Sequence, residues 1–456
     1  MPISSRVRLR RRAEPVRSVI ALMVAAASAA PLAAQTAGEA DLQETVEEAD
    51  LQDYEEWAEP PEPLARRLGL AISERVGIWS HDRDLNDEAI VPVAAVRAKL
   101  APRVGDLDAG FEGFVQADRV SGVEADVVEG WARLRLGALD LVAGRRIIVW
   151  GRADRLNPTD IISSRDYTLL VASDDEQRRG SLVTQARLGL GNFTLDALWL
   201  PEFRGIRFPL RQDRPGLVIL PDEEVQDRGQ FGLRLDRSGG SVDWSVSWFH
   251  GVDRTRDFAL EAAPTGSPAG TVAGLRQVFP RLDLFGADAA GTMGKISWRV
   301  EGAWSRYRDE DTPLRRRDNL WVVAGADRDF GPWNLNLQYS WRRQFDWQDP
   351  ATVGGSPAFV AIAQLGAAVN NQLDRVQHGV TTRIARQWRN DTIDTELATI
   401  VFFPTGDAAI RPRASIAIND SVRLSVGADV FVGPKLSFFG QVRSLSAGFI
   451  QLNHGF

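Results

Sequence analysis

From Leu68 to the end of the chain, apolar and polar residues alternate with a period of two in stretch after stretch. In 333–341, Trp333, Leu335, Leu337, Tyr339 and Trp341 share one phase, and Asn334, Asn336, Gln338 and Ser340 share the other. The split recurs as Val242, Trp244, Val246 and Trp248 against Asp243, Ser245 and Ser247. It recurs again as Ile296, Trp298, Val300 and Trp304 against Lys295, Ser297, Arg299 and Glu301, and as Val422, Leu424, Val426, Ala428 and Val430 against Arg423, Ser425 and Asp429. Successive side chains of a strand point to opposite faces, so each stretch is a strand with one face against apolar material and one against water.

The pattern places strands near 68–79, 90–103, 107–119, 126–137, 139–149, 181–190, 192–200, 227–237, 240–250, 276–288, 294–306, 317–329, 332–345, 376–388, 391–403, 407–418, 420–432 and 446–456. Connections after even-numbered strands are tight and carry turn residues: Gly105-Asp106, Gly137-Ala138, Gly191, 238–240, Gly291, Gly331-Pro332, Asn390-Asp391 and Asn419-Asp420. Connections after odd-numbered strands are mostly long: 150–180, 201–226, 251–275, 307–316, 346–375 and 433–445. A soluble sandwich has no reason to sort its connections by parity or to keep its outward faces apolar. A transmembrane antiparallel up-and-down β-barrel of about 18 strands requires both, because its backbone must be satisfied in a closed sheet and its loops grow on one side only. An Arg facing lipid at mid-membrane costs about 2–4 kcal/mol. Arg133, Arg135, Arg187, Arg234, Arg299, Arg342, Arg383, Arg411, Arg413 and Arg423 all fall on the polar phase, which is therefore the lumen. The pattern is broken at Pro280 and, in the first two strands, at Glu74 and Pro92, so a count of 16 also fits.

The segment 1–34 forms a separate unit. Six arginines (Arg6, Arg8, Arg10, Arg11, Arg12, Arg17) precede the apolar run 19–27, and Pro31-Leu32-Ala33-Ala34 supplies small residues for cleavage. That is a secretory signal peptide, 1–34, too short and too broken for a membrane span. Its removal takes the formal charge from −7 to −12. Residues 35–66 then form an acidic periplasmic segment with eleven Asp and Glu, and the barrel, 67–456, is near neutral. A near-neutral body excludes nucleic acid as a partner. Zero Cys excludes thiol catalysis, zinc–thiolate sites and iron–sulfur chemistry. No apolar run long enough to cross a bilayer as a helix follows the signal, which excludes a helical membrane bundle.

In the last strand Ile450, Leu452, His454 and Phe456 share one face. This resembles the carboxy-terminal signal of bacterial outer-membrane barrels, an alternating apolar strand ending in an aromatic residue. The resemblance implies recognition by the barrel assembly machinery and an outer-membrane location. The run 148–160, with Trp150-Gly151 followed by Asn157-Pro158-Thr159-Asp160, continues through 164–167 and 174–180. Together with Trp199-Leu200-Pro201-Glu202-Phe203 it resembles a segment of a porin-like group of proteobacterial barrels of unassigned function, over residues 139–203. By position this is the third outer loop, which in general porins folds inward and narrows the pore. It offers Arg152, Arg155, Arg165, Arg178 and Arg179 beside Asp154, Asp160, Asp166, Asp174, Asp175 and Glu176. Facing rows of opposite charge in a narrow passage set up a transverse field that sorts solutes; the same residues could equally serve as ion pairs folding a loop against the wall. On the wall, Arg133, Arg135 and Arg146, with Arg187 nearby, make one basic patch, and Arg411, Arg413 and Arg423 a second. They point to a mild anion preference unless lumenal acids neutralise them.

Three further features carry other readings. The apolar run 358–369 in the seventh outer loop must tuck into the lumen, cover the mouth or pack on other loops, and with Val218, Ile219 and Leu220 it could form a greasy entrance. Asp174-Asp175-Glu176 lacks the alternating spacing of an EF-hand loop, so no metal is expected. The four histidines sit in no nucleophile or metal-ligand signature, so neither enzyme activity nor a cofactor is expected. The sequence reads as an outer-membrane porin-like channel for passive diffusion of small polar or charged solutes. Two alternatives stay open: a transporter of hydrophobic compounds, and a structural or assembly barrel with a periplasmic partner on the acidic segment. Expected partners are outer-membrane lipid and lipopolysaccharide, the assembly machinery and small solutes. A homo-oligomer is not decided by the sequence.

Overall fold

The alternating stretches become eighteen long strands. In chain order these are β1 (Ala71–His81), β2 (Ala89–Leu100), β3 (Leu107–Asp118), β4 (Gly122–Leu136), β5 (Leu139–Arg146) and β6 (Ser181–Leu190). Next come β7 (Phe193–Leu200), β8 (Gln230–Arg237), β9 (Val242–Val252), β10 (Arg281–Met293), β11 (Ile296–Tyr307) and β12 (Asn319–Phe330). The last six are β13 (Trp333–Gln344), β14 (Val376–Trp388), β15 (Ile393–Phe403), β16 (Asp407–Ala417), β17 (Val422–Val432) and β18 (Ala447–Gly455). The computed structural model describes residues 65, 68–83, 88–208, 217–225, 229–262, 264–267, 273–308 and 314–455. The stretch expected to be a signal peptide, the expected acidic segment apart from Ala65, and Phe456 lie outside the described residues.

Every strand pairs antiparallel with its predecessor, and β1 pairs with β18 from Ser73↔Gly455 to Trp79↔Phe449, which closes the sheet. The parity of the connections holds. Residues 137–138, 191–192, 294–295 and 331–332 are two-residue turns at one end, whereas 147–180, 201–229, 253–280 and 345–375 are long loops at the other. The outward phase is apolar: Leu134, Leu195, Val246, Trp304, Trp333 and Leu337 are all exposed. Aromatic residues mark both ends of this band. Phe193 meets Trp244, and Trp333 meets Trp388, each at 6.2 Å between ring centroids on the turn side, while Phe285 stacks on Trp304 at 5.7 Å on the loop side. This is a transmembrane β-barrel with interfacial girdles.

Where the pattern breaks, the structure gives the cause. Glu74 faces outward directly opposite His454, whose Nδ1 lies 3.7 Å from Glu74 Oε2, so the acid in the first strand has a partner across the closing pair. Pro92 sits one residue beyond the β2–β3 ladder, which begins at Val93↔Asp118, and its missing N–H interrupts nothing there. The strand expected at 276–288 is shifted to 281–293, because residues 273–278 leave the barrel to join a small sheet with 257–261 and 217–219. Pro280 marks the break, its carbonyl accepting from Asp253 N. The turn therefore falls at Gly294, φ +62°, and Gly291 remains in the ladder opposite Val242 and Trp298.

The apolar run of the seventh outer loop is a helix, α1 (Pro357–Val369). Ser356 caps it by accepting from Phe359 N at 3.3 Å, and Pro357 fills a first-turn position that needs no donor. Ile362, Leu365 and Val369 bury against Phe258 and Leu275 of the small sheet, with Ile219, Leu260 and Leu314 around them. The run is thus satisfied by loop–loop packing above the barrel.

Candidate functional site

The third loop, 147–180, runs into the barrel, and it is apolar before it is charged. Ile148, Trp150 and Ile162 pack on inward-facing Val183, Leu198, Phe249, Leu282 and Leu284 of β6, β7, β9 and β10. Leu170 packs on Trp79, Val91, Val93 and Phe449 of β1, β2 and β18, and Leu169 and Val171 on Phe114 and Val128 of β3 and β4. Leu156 touches the cluster of Phe402, Ala409 and Phe439. The inward phase is therefore not polar throughout. Near the loop end it carries the apolar seats of this segment, which is why β2 reads apolar on both faces.

One acid sets the path of the segment. Glu301 of β11 is fully buried and accepts four hydrogen bonds: from Arg152 N (2.8 Å) and Ala153 N (2.9 Å) on Oε2, and from Thr159 N (2.8 Å) and Thr159 Oγ1 (2.9 Å) on Oε1. Gly151 passes so close, at φ +89°, that a Cβ there would stand 2.4 Å from Glu301 Oε2. Only glycine fits that approach. The sequence pattern ranks Glu301 merely as one lumenal acid among several. The nearby glycine and the Asn-Pro-Thr turn are the only local signals, and nothing in them identifies an acceptor on a strand so far along the chain.

Ion pairs then tie the segment to walls on different sides. Arg152 Nε donates to Asp288 of β10 at 2.6 Å, Asp154 accepts from Arg299 of β11 at 2.6 Å, and Arg155 reaches Glu396 of β15 at 2.8 Å. Asp174 accepts from Arg411 of β16, and Glu176 pairs with Arg75 of β1. Asp160 binds Arg178 at 2.8 Å and Arg165 at 3.3 Å within the segment itself. Asp429 of β17, fully buried, gathers Arg83, Arg411 (2.7 Å) and Arg413 (2.8 Å).

Beside the segment lies a cavity of about 1050 Å³. The structure brings Asp154, Arg155, Asp160, Arg165, Asp174, Asp175, Glu176, Arg411 and Arg413 to its wall, joined by Arg83, Arg178, Arg256, Arg316, Arg342, Arg383, Asp394, Glu396 and Asp429. Ten arginines against eight acids leave the described lining weakly cationic. Burial pulls the Arg256 guanidinium down to about 10, which still leaves it charged at neutral pH.

The remaining expected site residues lie elsewhere. Asp166 is buried behind the segment, accepting from Thr168 N and pairing with Arg207, so it shapes a turn. Arg133 and Arg135 both donate to Asp108, with Arg103 and Asp140 close by, toward the turn end. Arg146 donates to Gln185 and lies over the Trp131 ring at 5.1 Å, Arg187 stands opposite Asp140 in the β5–β6 ladder, and Arg423 pairs with Asp394. The arginines expected to form two bare basic patches are thus largely matched by acids.

Burial raises the Asp174 carboxyl, but Arg411 and Arg155 outweigh it and hold the group below its ordinary 3.8. A depressed carboxylate contributes above its unfolded value and loses its contribution only as the pH falls through the folded one. The tie between Asp174 and Arg411 should therefore hold, with its share of the conductance, down to about pH 4 and loosen only below it. A step between about pH 6 and 5 would show that some other group governs the segment.

No protein-family model matches this sequence, and no curated protein matches it either. Among solved structures, the chain is similar to Pseudomonas aeruginosa OccK2 (OpdF) in complex with glucuronate, at 9% identity and a TM-score of 0.52, over 85% of this chain and 95% of that one. P. aeruginosa OpdK with vanillate gives 11% identity, a TM-score of 0.49 and coverage of 85% and 98%. Acinetobacter baumannii OccAB4 gives 8%, 0.48, 85% and 97%. At these identities the likeness is one of fold.

Proposed function

We propose that this barrel is an outer-membrane channel through which small polar or charged solutes diffuse passively, and that the inward third loop forms its constriction. The observation that carries the reading is the cavity of about 1050 Å³ whose wall carries both guanidinium and carboxylate groups along the segment. A passage of that size lined by paired charges suits a small hydrated solute and disfavours a greasy one. The apolar run 358–369, which could have lined a route for hydrophobic compounds, instead packs its buried face on Phe258 and Leu275. The glucuronate held by OccK2, a barrel of the same fold, is a solute of the class proposed. The export signal and the terminal strand support placement in the outer membrane, with long loops outside and turns in the periplasm.

Purified protein in a planar bilayer should give stable ohmic steps, and silence under conditions where the protein runs as a folded barrel on a detergent gel would overturn the reading. Selectivity adds a second test. Arg103, Arg133 and Arg135 face Asp108 and Asp140, so Arg133→Ala/Arg135→Ala turns a local excess of one cation into an excess of acid. Reversal potentials in a salt gradient should move modestly toward cation preference. If both the ratio and the conductance are unchanged, this patch does not border the conducting path.

A further inference from the structure

On the lipid-facing wall, two cations near the turn-side rim have no acid to match them. On β12, β13 and β14 the outward phase ends in the row Arg328, Leu335, Ile384 and then the row Phe330, Trp333, Arg386, with Trp388 beyond. The Arg328 guanidinium lies 4.6 Å from the Phe330 ring centre, so this side chain runs along the wall toward the turns. That of Arg386 is held between two rings, 3.4 Å from Trp388 and 4.9 Å from Trp333. Among the described residues neither forms an ion pair, and the Nε of each is buried without a hydrogen-bond partner. Stacking by its face holds a guanidinium through the ring quadrupole but uses none of its N–H groups. The Nη groups are left to meet an anion.

Residues 314–455, which make up β12 to β18 and every turn among them, are all described. The outward phase of β11 to β15 carries no acid among the described residues. Asp327, Asp329 and Asp394 face the lumen, where they accept from Arg299, from Asn334 Nδ2 at 2.8 Å and from Arg423. In the turn 389–392, Arg389 offsets Asp391. The acidic run before Ala65 joins the wall at β1, five strand steps from β14, or about 24 Å around the sheet. Screening at physiological salt acts over about 8 Å.

Depth decides what can reach these cations. Trp333 and Trp388 belong to the turn-side girdle, so both guanidinium groups stand where hydrocarbon gives way to headgroups. With the turns in the periplasm, this is the inner leaflet of the outer membrane, which is built of glycerophospholipids. Toward the membrane centre, exposed Leu335, Leu337 and Ile384 offer an apolar face beside the two cations. We infer that Arg328 and Arg386 form a docking surface for the phosphate of an anionic glycerophospholipid in that leaflet, its chains lying on Leu335, Leu337 and Ile384. The inference rests on the outer-membrane orientation proposed above but not on conduction.

Native mass spectrometry of the full-length protein in detergent tests it, with phosphatidylglycerol and phosphatidylcholine as probes and inorganic phosphate as competitor. Wild type should retain phosphatidylglycerol over phosphatidylcholine, and inorganic phosphate should not displace it. A cation near a charged lipid surface is worth about fivefold in affinity, so Arg328→Gln/Arg386→Gln should lose at least about tenfold. Arg386→Lys keeps the charge and should stay within about twofold of wild type. Arg119→Gln, on the loop-side rim, should lose nothing. If the double variant fails to assemble, Arg386→Gln alone should show about the single fivefold loss. Equal retention of the two lipids by wild type overturns the inference, as does equal retention of phosphatidylglycerol by the glutamine variants and wild type. Displacement by inorganic phosphate would overturn it in favour of a free-anion site. Bilayer conductance of the double variant should match wild type, so failure of the channel reading and failure of the lipid site are told apart.

Discussion

Glu301→Ala should raise single-channel conductance roughly twofold or more and make the open state noisy, because the lumenal segment loses the acceptor that sets its path. Arg152 N and Ala153 N would be left without their acceptor, and Thr159 N and Oγ1 would keep only their longer bonds to Asn157 Oδ1, at 3.2 and 3.4 Å. Each such orphan costs about 1–3 kcal/mol. That total exceeds what the surrounding ion pairs can hold, since pairs facing water in the lumen contribute about 0–1 kcal/mol each. Glu301→Gln keeps one acceptor oxygen and should fall between the two. Unchanged conductance in the alanine variant, with assembly intact, would mean that the apolar seats of Ile148, Trp150 and Ile162 hold the segment unaided.

Asp429→Asn should shift selectivity toward anions. The carboxylate gathers Arg83, Arg411 and Arg413 at the cavity wall, and its removal leaves three guanidinium groups facing one another beside the passage. One unit charge acting through water on an ion at about 8 Å is worth about 0.5 kcal/mol, a factor of about two in the permeability ratio. Reversal potentials measured at low salt, where screening is least, should show it, and the shift should shrink as salt rises. The barrel should also lose resistance to heat, because Arg83 is buried and breaking a buried pair costs about 3–5 kcal/mol. A selectivity ratio equal to that of the parent would mean that Asp429 lies off the conducting path.

The strands were legible because a barrel wall obeys one rule along its whole length: a side chain that points out meets lipid and its neighbour does not. Deviations arise where a second rule intrudes. The stretch 276–278 reads as the start of a wall strand, yet 273–278 pairs with other loops, since a short local pattern carries no information about which sheet a strand joins. The helix 357–369 is apolar at nearly every position and so shows no 3.6-residue period, although Ser356-Pro357 is a helix start. The charges of the third loop could be read from the sequence, but their partners lie in β1, β10, β11, β15 and β16. Pairing over such separations is decided by barrel closure. Arg133 and Arg135 illustrate the limit, because their number was visible and their shared partner Asp108 was not.

The way the third loop touches the wall also bears on the order in which the barrel is built. Its residues 170–176 contact both sides of the junction where the first and last strands meet: Leu170 packs on Trp79 of β1 and Phe449 of β18, Glu176 holds Arg75 of β1, and Asp174 holds Arg411 of β16. A segment seated on strands at both ends of the barrel can hold them near one another before the cylinder closes. Bringing together β1 and β18, from opposite ends of the barrel sequence, is the pairing with the largest entropic cost in the chain. A template already bound to β1 and to β16 shortens the loop that this last pairing has to close, from most of the chain to the short stretch between β16 and β18. The third loop is thus placed to gather the two ends during assembly, so a variant that frees it should assemble more slowly, while the barrels that do close report the altered pore.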